Sequence, residues 1–428
     1  MMSFPGPVRA CLGGCLAVLM LGCGCRTQAP QALPSAEGLI TPMRGPFDSG
    51  MKKRVIDEVS LVLKTQAYAG KVDFSDWDSR VANAWESIDA ATTSEAFGKV
   101  INEILKGYGL SHLVLATEAQ LAYLKPGNPG YGFRFLWMPQ GWSVMQVKIG
   151  SPAEKAGLRG GDILKELNGS PFDDKRMAAL TETAKPLVLA GIRKGSPFQM
   201  KIDCLPFDWD TPPMLQWLNP DLALLKVPSF RNSAYEDAKV DELFQAASRA
   251  RAMVLDLRGN TGGNTDNFQD LASHFLPRGR VLAYQVTRDT EEAFRKRHGR
   301  SGELAELATY GESLGTRPVQ NRFKGPVVVL VDRWSHSSAE LCAAALQDWG
   351  RARVLGTPSG GQVLTTSSAD LTVLSGGFRL QWPAGVPLSS KRQRLEGRGV
   401  KPDLGMDPVS TANDDVILAK ARELLKAH

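Results

Sequence analysis

The stretch from Pro326 to Arg353, PVVVLVDRWSHSSAELCAAALQDWGRAR, constrains the fold more than any other part of the chain. Val327 to Val331 is an unbroken apolar run, mostly β-branched, which predicts a strand buried on both faces. Asp332, Arg333 and Trp334 follow, then a polar cluster of Ser335, His336, Ser337 and Ser338. From Ala339 the pattern becomes helical, with Leu341, Ala345 and Leu346 at helix spacing and Gly350 as a stop. A serine between a buried strand and a helix start stands at the positive end of the helix, where a developing oxyanion would meet free backbone N–H groups. Ser337-Ser338-Ala339-Glu340 also reads as S-x-x-E, a capping box that only starts a helix. On this stretch alone both readings stand.

At 428 residues the chain has room for two or three domains, and 43% apolar with 22% charged residues allows a sizeable core. The net charge of +6 is spread along the chain without a basic block, so no nucleic-acid partner is expected. Four cysteines, Cys11, Cys15, Cys23 and Cys25, lie in the first 25 residues; Cys204 and Cys342 remain for the body. No C-x-x-C pair occurs there, so neither a metal site nor a disulfide framework is expected, and Cys342 reads as core. Residues 1–25 read as a targeting segment: Arg9, then the apolar stretch Cys11 to Leu21, too short to span a bilayer. Leu21-Gly22-Cys23 resembles a bacterial lipoprotein signal with Cys23 as the lipidated residue and Cys25 as a second candidate; an ordinary cleaved secretory signal is the alternative. Either would export the protein, and residues 26–45, rich in Pro, Ala and Gly, would form a flexible tether.

Residues 46–125 are expected to form a helical cap, with helices over 55–66, 77–88 and 94–108 and with Trp77, Trp85, Phe97, Ile101 and Leu105 as core. Ser111-His112 lies in the turn that follows; a lone histidine there is by default structural. In residues 126–206, Gly150-Ser151-Pro152-Ala153 runs on through Gly160-Gly161-Asp162 to Asn168-Gly169, and this run resembles a PDZ domain. The backbone of Tyr131, Gly132 and Phe133 would then offer N–H groups to a C-terminal carboxylate beside a strand edge, with Met177 to Thr183 as the groove helix. A PDZ fold kept only as a spacer is the alternative.

Residues 207–411 alternate strand and helix: Leu222–Val227, then a helix over 237–250, then Ala252–Leu257. Arg258-Gly259-Asn260-Thr261-Gly262-Gly263-Asn264 follows, a loop able to bind an anion at a helix start, without the Lys-Ser/Thr of a nucleotide P-loop. Such alternation implies right-handed crossovers with sites beyond the carboxyl ends of the strands, where both this loop and Ser337 fall. Residues 412–428 are expected to be a helix packing through Val416, Leu418, Ala421 and Leu424/Leu425.

Over roughly residues 75–410 the chain resembles the C-terminal-processing (tail-specific) serine peptidases. Four stretches carry the resemblance in order: the PDZ run, LKVPSF (225–230), LDLRGNTGG (255–263) and the segment 328–356. It implies a mixed α/β fold with a helical cap, a PDZ-like β domain and an α/β peptidase core. It also implies Ser337 as nucleophile. The family's lysine base would fall where this chain has Gln362, which cannot take a proton from a serine near neutral pH. The chain is similar instead to the branch of the tricorn-protease core and interphotoreceptor retinoid-binding protein, which lacks that lysine. The resemblance then implies His112 as base, with Glu396 and Ser111 fixing it, and backbone N–H groups of Gly262 or Gly263 and Ser338 as the oxyanion site. His336 is the rival base, Glu340 a capping acid and Asp348 structural. The implied protein is a periplasmic or cell-envelope serine endopeptidase, membrane-attached through a lipid anchor, taking the C-terminal tails of polypeptides without metal or cofactor. A catalytically inactive relative that binds peptides or apolar ligands is the alternative.

Overall fold

The computed structural model describes residues 40–118, 120, 128–208, 210–366 and 372–426. The targeting segment with Cys23 and Cys25, and residues 26–39 of the expected tether, lie outside the described residues. Among those described, no helix is long and apolar enough to cross a membrane.

The first unit carries helices α1 (Ser49–Thr65), α2 (Trp77–Asn83), α3 (Trp85–Ala90) and α4 (Ser94–Lys106). The single helix expected over 77–88 is broken at Ala84, whose backbone leaves helical geometry (φ −100°, ψ 6°). That break turns Trp85 outward, where it is 47% exposed instead of core, whereas Trp77, Phe97, Ile101 and Leu105 are fully buried. Thr93 caps α4 by accepting the Ala96 N–H, and the helix is followed by Gly107 and by Gly109 at φ 64°. The cap does not close a core of its own. It buries its apolar faces against Leu374, Phe378, Leu380 and Trp382 from far along the chain, with Phe97 edge-on to Phe378 at 5.4 Å. Strand β1 (Val114–Ala116), just after His112, pairs antiparallel with Arg379–Gln381 and fixes that union.

The second unit is an antiparallel sheet ordered β2 (Phe133–Met138), β3 (Gly141–Val147), β4 (Ile163–Leu167), β5 (Leu187–Arg193), β6 (Ser196–Ile202). Helix α5 (Asp174–Glu182) crosses it, capped by Asp173. At the edge, β2 pairs with β3 alone among the described strands.

The third unit holds a sheet ordered β7 (Met214–Asn219), β8 (Leu222–Lys226), β9 (Ala252–Asp256), β11 (Val327–Val331), β12 (Arg353–Gly356), β13 (Leu404–Gly405), where β10 (Val281–Thr287) belongs to a neighbouring sheet. All pairings except β7 with β8 are parallel. Helices α6 (Asp237–Ala246), α7 (Thr265–Ser273) and α8 (Ser338–Asp348) lie in the chain order that parallel crossovers require. Every residue of β11 is buried, as an apolar run in a sheet covered on both faces should be. The C-terminal helix α9 (Asp414–Lys426) covers part of the sheet through Ile417, Ala421 and Leu424. The packing face is therefore rotated from expectation: Ile417 is buried and Val416 is 42% exposed. Asp414 and the Thr411 carbonyl both accept from Arg258, which ties this helix to the glycine-rich loop.

Candidate active site

Strands β9 and β11 are neighbours, and the loops leaving their carboxyl ends meet. From β11, Asp332 turns the chain: its carboxylate accepts the N–H groups of Gly259 and Trp334. Burial pushes its carboxyl above the usual carboxylate range. Ser335 donates to the Leu257 carbonyl at 2.8 Å, stitching the turn to β9. Ser337 then starts α8 at φ 55° and ψ −121°, a region that side-chain-bearing residues rarely enter. His112 too has a positive φ, 56°. Strain of this kind costs about 1–3 kcal/mol and persists only where the surroundings impose it.

What imposes it at Ser337 is Glu340. Its Oε2 accepts the N–H of Ser337 at 3.0 Å and of Gln362 at 2.9 Å, and its Oε1 accepts the Gly361 N–H at 2.7 Å and the Ser359 hydroxyl at 2.6 Å. Burial pushes this carboxyl up, against the pull of those donors. The acid expected only to cap the helix thus also binds the loop 359–362 to the serine. The Gln362 carbonyl closes the same joint by accepting the Ser337 N–H at 2.9 Å, while its side chain is exposed.

One residue further on, the Val363 N–H donates to Glu396 Oε2 at 2.9 Å, and the Leu364 N–H does so at 3.3 Å. Glu396 accepts twice more, from the Ser111 N–H at 2.8 Å and the Ser111 hydroxyl at 2.9 Å, across 285 positions of sequence. Ser111 Oγ lies 2.8 Å from His112 Nδ1. The structure thus joins Glu396, Ser111 and His112 in one line that starts beside the residue holding Ser337. Proton bookkeeping sets the tautomer. An ionised carboxylate only accepts, so the single Ser111 hydroxyl proton goes to Glu396. The serine oxygen then accepts from His112 Nδ1–H, leaving the Nε2 lone pair available. Burial holds His112 below the ordinary imidazole range; nearby His336 adds to the depression and Glu396 opposes it.

His336 is placed differently. Its Nε2 lies 2.9 Å from the Arg333 carbonyl, which requires an N–H there, and the ring packs where a side chain on Gly360 would sit. Burial lowers this imidazole as well. Its Nε2 is thus committed to its own turn, and the lone pair of this imidazole lies on Nδ1.

The glycine-rich loop brings the remaining groups. A Cβ on Gly262, at φ 89°, would lie 2.6 Å from Ser337 Cβ, so only glycine allows this approach. The Gly262 N–H is committed to Asn260 Oδ1 at 2.8 Å, which removes it from the expected oxyanion donors. The Gly262 carbonyl accepts the Phe230 N–H at 3.0 Å, and a trans peptide sends the next N–H, that of Gly263, the opposite way. Ser338 Oγ donates to the Gly263 carbonyl at 2.9 Å and so holds the following peptide unit against the start of α8. For the N–H groups of Gly263 and Ser338, no acceptor appears among the described residues.

Beside the site, a cleft of about 500 Å³ is lined by residues including Trp334, His336, Gly360, Gln362, Met406 and Met145 of β3. The Arg134 guanidinium of β2 lies 5.7 Å from the Trp334 ring centre. In the Tyr131–Phe133 loop, the Tyr131 carbonyl accepts the Ala153 N–H and the Gly132 carbonyl accepts the Lys148 N–H, turning both carbonyls inward. A Cβ on Gly132 would fall 2.1 Å from Ser151 Cβ, so this loop also requires its glycine.

Residues 221–406 match the sequence profile of Peptidase family S41. A probable CtpA-like serine protease of Staphylococcus aureus (strain N315) is 24% identical over 272 residues, covering 60% of this chain and 48% of that protein. The chain spans about half the length of the curated relatives it matches first. Carboxyl-terminal-processing peptidase 3, chloroplastic, of Arabidopsis thaliana is 25% identical over 354 residues, 77% of this chain and 64% of that protein. A photosystem II D1 C-terminal processing protease shares the fold with a TM-score of 0.55 at 17% identity, over 84% of this chain and 94% of that one. By the profile match, residues 221–406 are those of a Peptidase family S41 domain, and the relatives and the shared fold extend the similarity over most of the chain.

Proposed function

We propose that this chain is a serine endopeptidase of the C-terminal-processing type, with Ser337 as nucleophile and His112 as general base. The observation that carries the reading is the hydrogen-bonded line from Glu396 through Ser111 to His112, which presents a neutral imidazole with its Nε2 lone pair available. In the proposed reaction His112 Nε2 takes the Ser337 proton as Oγ attacks the substrate carbonyl. The N–H groups of Gly263 and Ser338 receive the oxyanion. His112 then returns the proton to the leaving amine, and water, activated by the same nitrogen, releases the acyl group. Ser111 and Glu396 act through His112 as positioning residues. Gln362 contributes its backbone, not a base.

Residues 126–206 are read as a PDZ domain: β2 has an open edge among the described strands for an added strand, and the Tyr131–Phe133 loop has its carbonyls turned inward, which suits a substrate's C-terminal carboxylate. Lipidation at Cys23 and a place in the cell envelope belong to the same reading.

A fluorophosphonate probe tests it. Wild type should be labelled, Ser337→Ala not at all, and His112→Ala far more slowly. Absence of labelling in the folded wild type would turn the assignment to a peptide-binding scaffold without chemistry. Peptides with free and amidated C-termini, compared as ligands, test the role of the β unit.

A further inference from the structure

At the far end of α8, roughly 17 Å from Ser337 by helix rise, the surface is built from stacked cations and aromatic rings. Trp349, 39% exposed, anchors its Nε1–H on the Val281 carbonyl at 2.8 Å, and the Arg280 guanidinium lies 4.4 Å over its ring. Three residues along β10 from Val281, Tyr284 carries Arg392 at 5.3 Å. Lys391 and Arg278 are exposed on the two flanking turns. The acid among them, Asp348, has a side chain only 10% exposed; it accepts from the Ser390 hydroxyl and the Lys391 N–H and has the Lys391 ammonium 3.8 Å from its Oδ1, which leaves Arg278, Arg280 and Arg392 as the cations it does not pair. The outward charge is therefore positive.

Arg392 carries a second signal. Its φ is 58°, in the left-handed region where glycine or asparagine would sit at lower cost. A turn that holds an arginine there retains the cation against a backbone preference.

We propose that this surface docks the protein onto an anionic phospholipid bilayer. The six residues stand on two turns, one strand and a helix end, and none of them lines the clefts beside the β unit or α1. An acidic peptide would call for a cleft or an open strand edge. A headgroup layer calls for what is present: an indole at the interface with flexible cations around it to meet phosphates. Docked this way, α8 would point its Ser337 end away from the bilayer.

The test is vesicle flotation of the full chain carrying Cys23→Ser and Cys25→Ser, so that no acyl chain contributes, with every variant on that background. Phosphatidylglycerol added to phosphatidylcholine vesicles should raise the bound fraction, and salt should reverse the gain. Arg280→Gln with Arg392→Gln should lower the phosphatidylglycerol-dependent partition roughly twenty-five-fold, at about fivefold per cation. Arg392→Gly should lower it about fivefold while thermal stability is kept or raised, because glycine relieves the positive φ. Equal binding to both vesicle types, or variants that bind like their parent, would overturn the proposal. So would Arg392→Gly losing stability together with binding, which would mark a structural arginine. Binding of polyglutamate without binding of vesicles would reassign the surface to an acidic polypeptide.

Discussion

Replacing Ser111 with alanine removes one oxygen and with it two contacts, the 2.9 Å bond to Glu396 Oε2 and the 2.8 Å contact with His112 Nδ1. Most of the frame should survive, since the Ser111 N–H still donates to Glu396 Oε1 and Val363 still donates to Oε2. What is lost is the acceptor that holds the proton on Nδ1 and that strengthens when the imidazole becomes charged in the transition state. A hydrogen bond to a charged group contributes about 1.5–3 kcal/mol. At about 1.4 kcal/mol per decade, kcat should fall roughly ten- to a hundredfold. KM should change little, because Ser111 does not face substrate in the proposed arrangement. Steady-state hydrolysis of a peptide substrate measures both, and the fluorophosphonate labelling rate should fall in parallel with kcat. A Ser111→Ala enzyme within twofold of wild type in kcat would refute the reasoning, because the line from Glu396 would then have no part in setting the imidazole.

Three further outcomes follow from the same geometry. Burial lowers the His112 pKa, so neutral imidazole persists below the ordinary range near 6.5, and the acidic limb of kcat/KM should lie below that value; a limb at or above it would contradict the assignment. Gly262→Ala must both leave a positive φ and clear Ser337 Cβ, so labelling should fall more than about a hundredfold, with about 1–3 kcal/mol lost in urea unfolding from backbone strain; near-normal labelling would show that the loop does not approach the serine as described. Burial brings Lys148 down to about 8. With the unfolded value near 10.4, the unfolded chain binds more protons between those limits, so stability contributed by this site rises with pH from about 8 to 10. Lys148→Met should therefore stabilise the protein at neutral pH by about 1–3 kcal/mol and flatten that rise, as followed by urea unfolding; destabilisation would mean that the ammonium's partners outweigh its burial.

The strand-turn-helix around Ser337 and the glycine-rich loop were legible because each depends on local chemistry: a β-branched run, turn residues, a helix start. The line from Glu396 to His112 was reachable only by resemblance, because nothing local announces a contact over 285 positions. Two parts of the site were hidden for definite reasons. Glu340 read as a cap, since S-x-x-E describes one bond of a carboxylate that in fact accepts four. The Gly262 N–H read as an oxyanion donor until Asn260, two residues earlier, proved to hold it. Elsewhere tertiary packing outranked periodicity. Trp85 follows a backbone break that no apolar spacing predicts, and α9 buries Ile417 because Arg258 fixes the rotation of its first turn through Asp414.

The way Glu340 grips the 359–362 segment has a consequence for how such a protein can change. Two of its four bonds go to main-chain amides of Gly361 and Gln362, and none goes to the side chain at 362. Any residue but proline offers the same amide, so that position can exchange its side chain without dismantling the support of Ser337. If the proposed roles hold, a protein assembled like this is free to move the duty of proton acceptor from one part of the chain to another while its serine stays where it was.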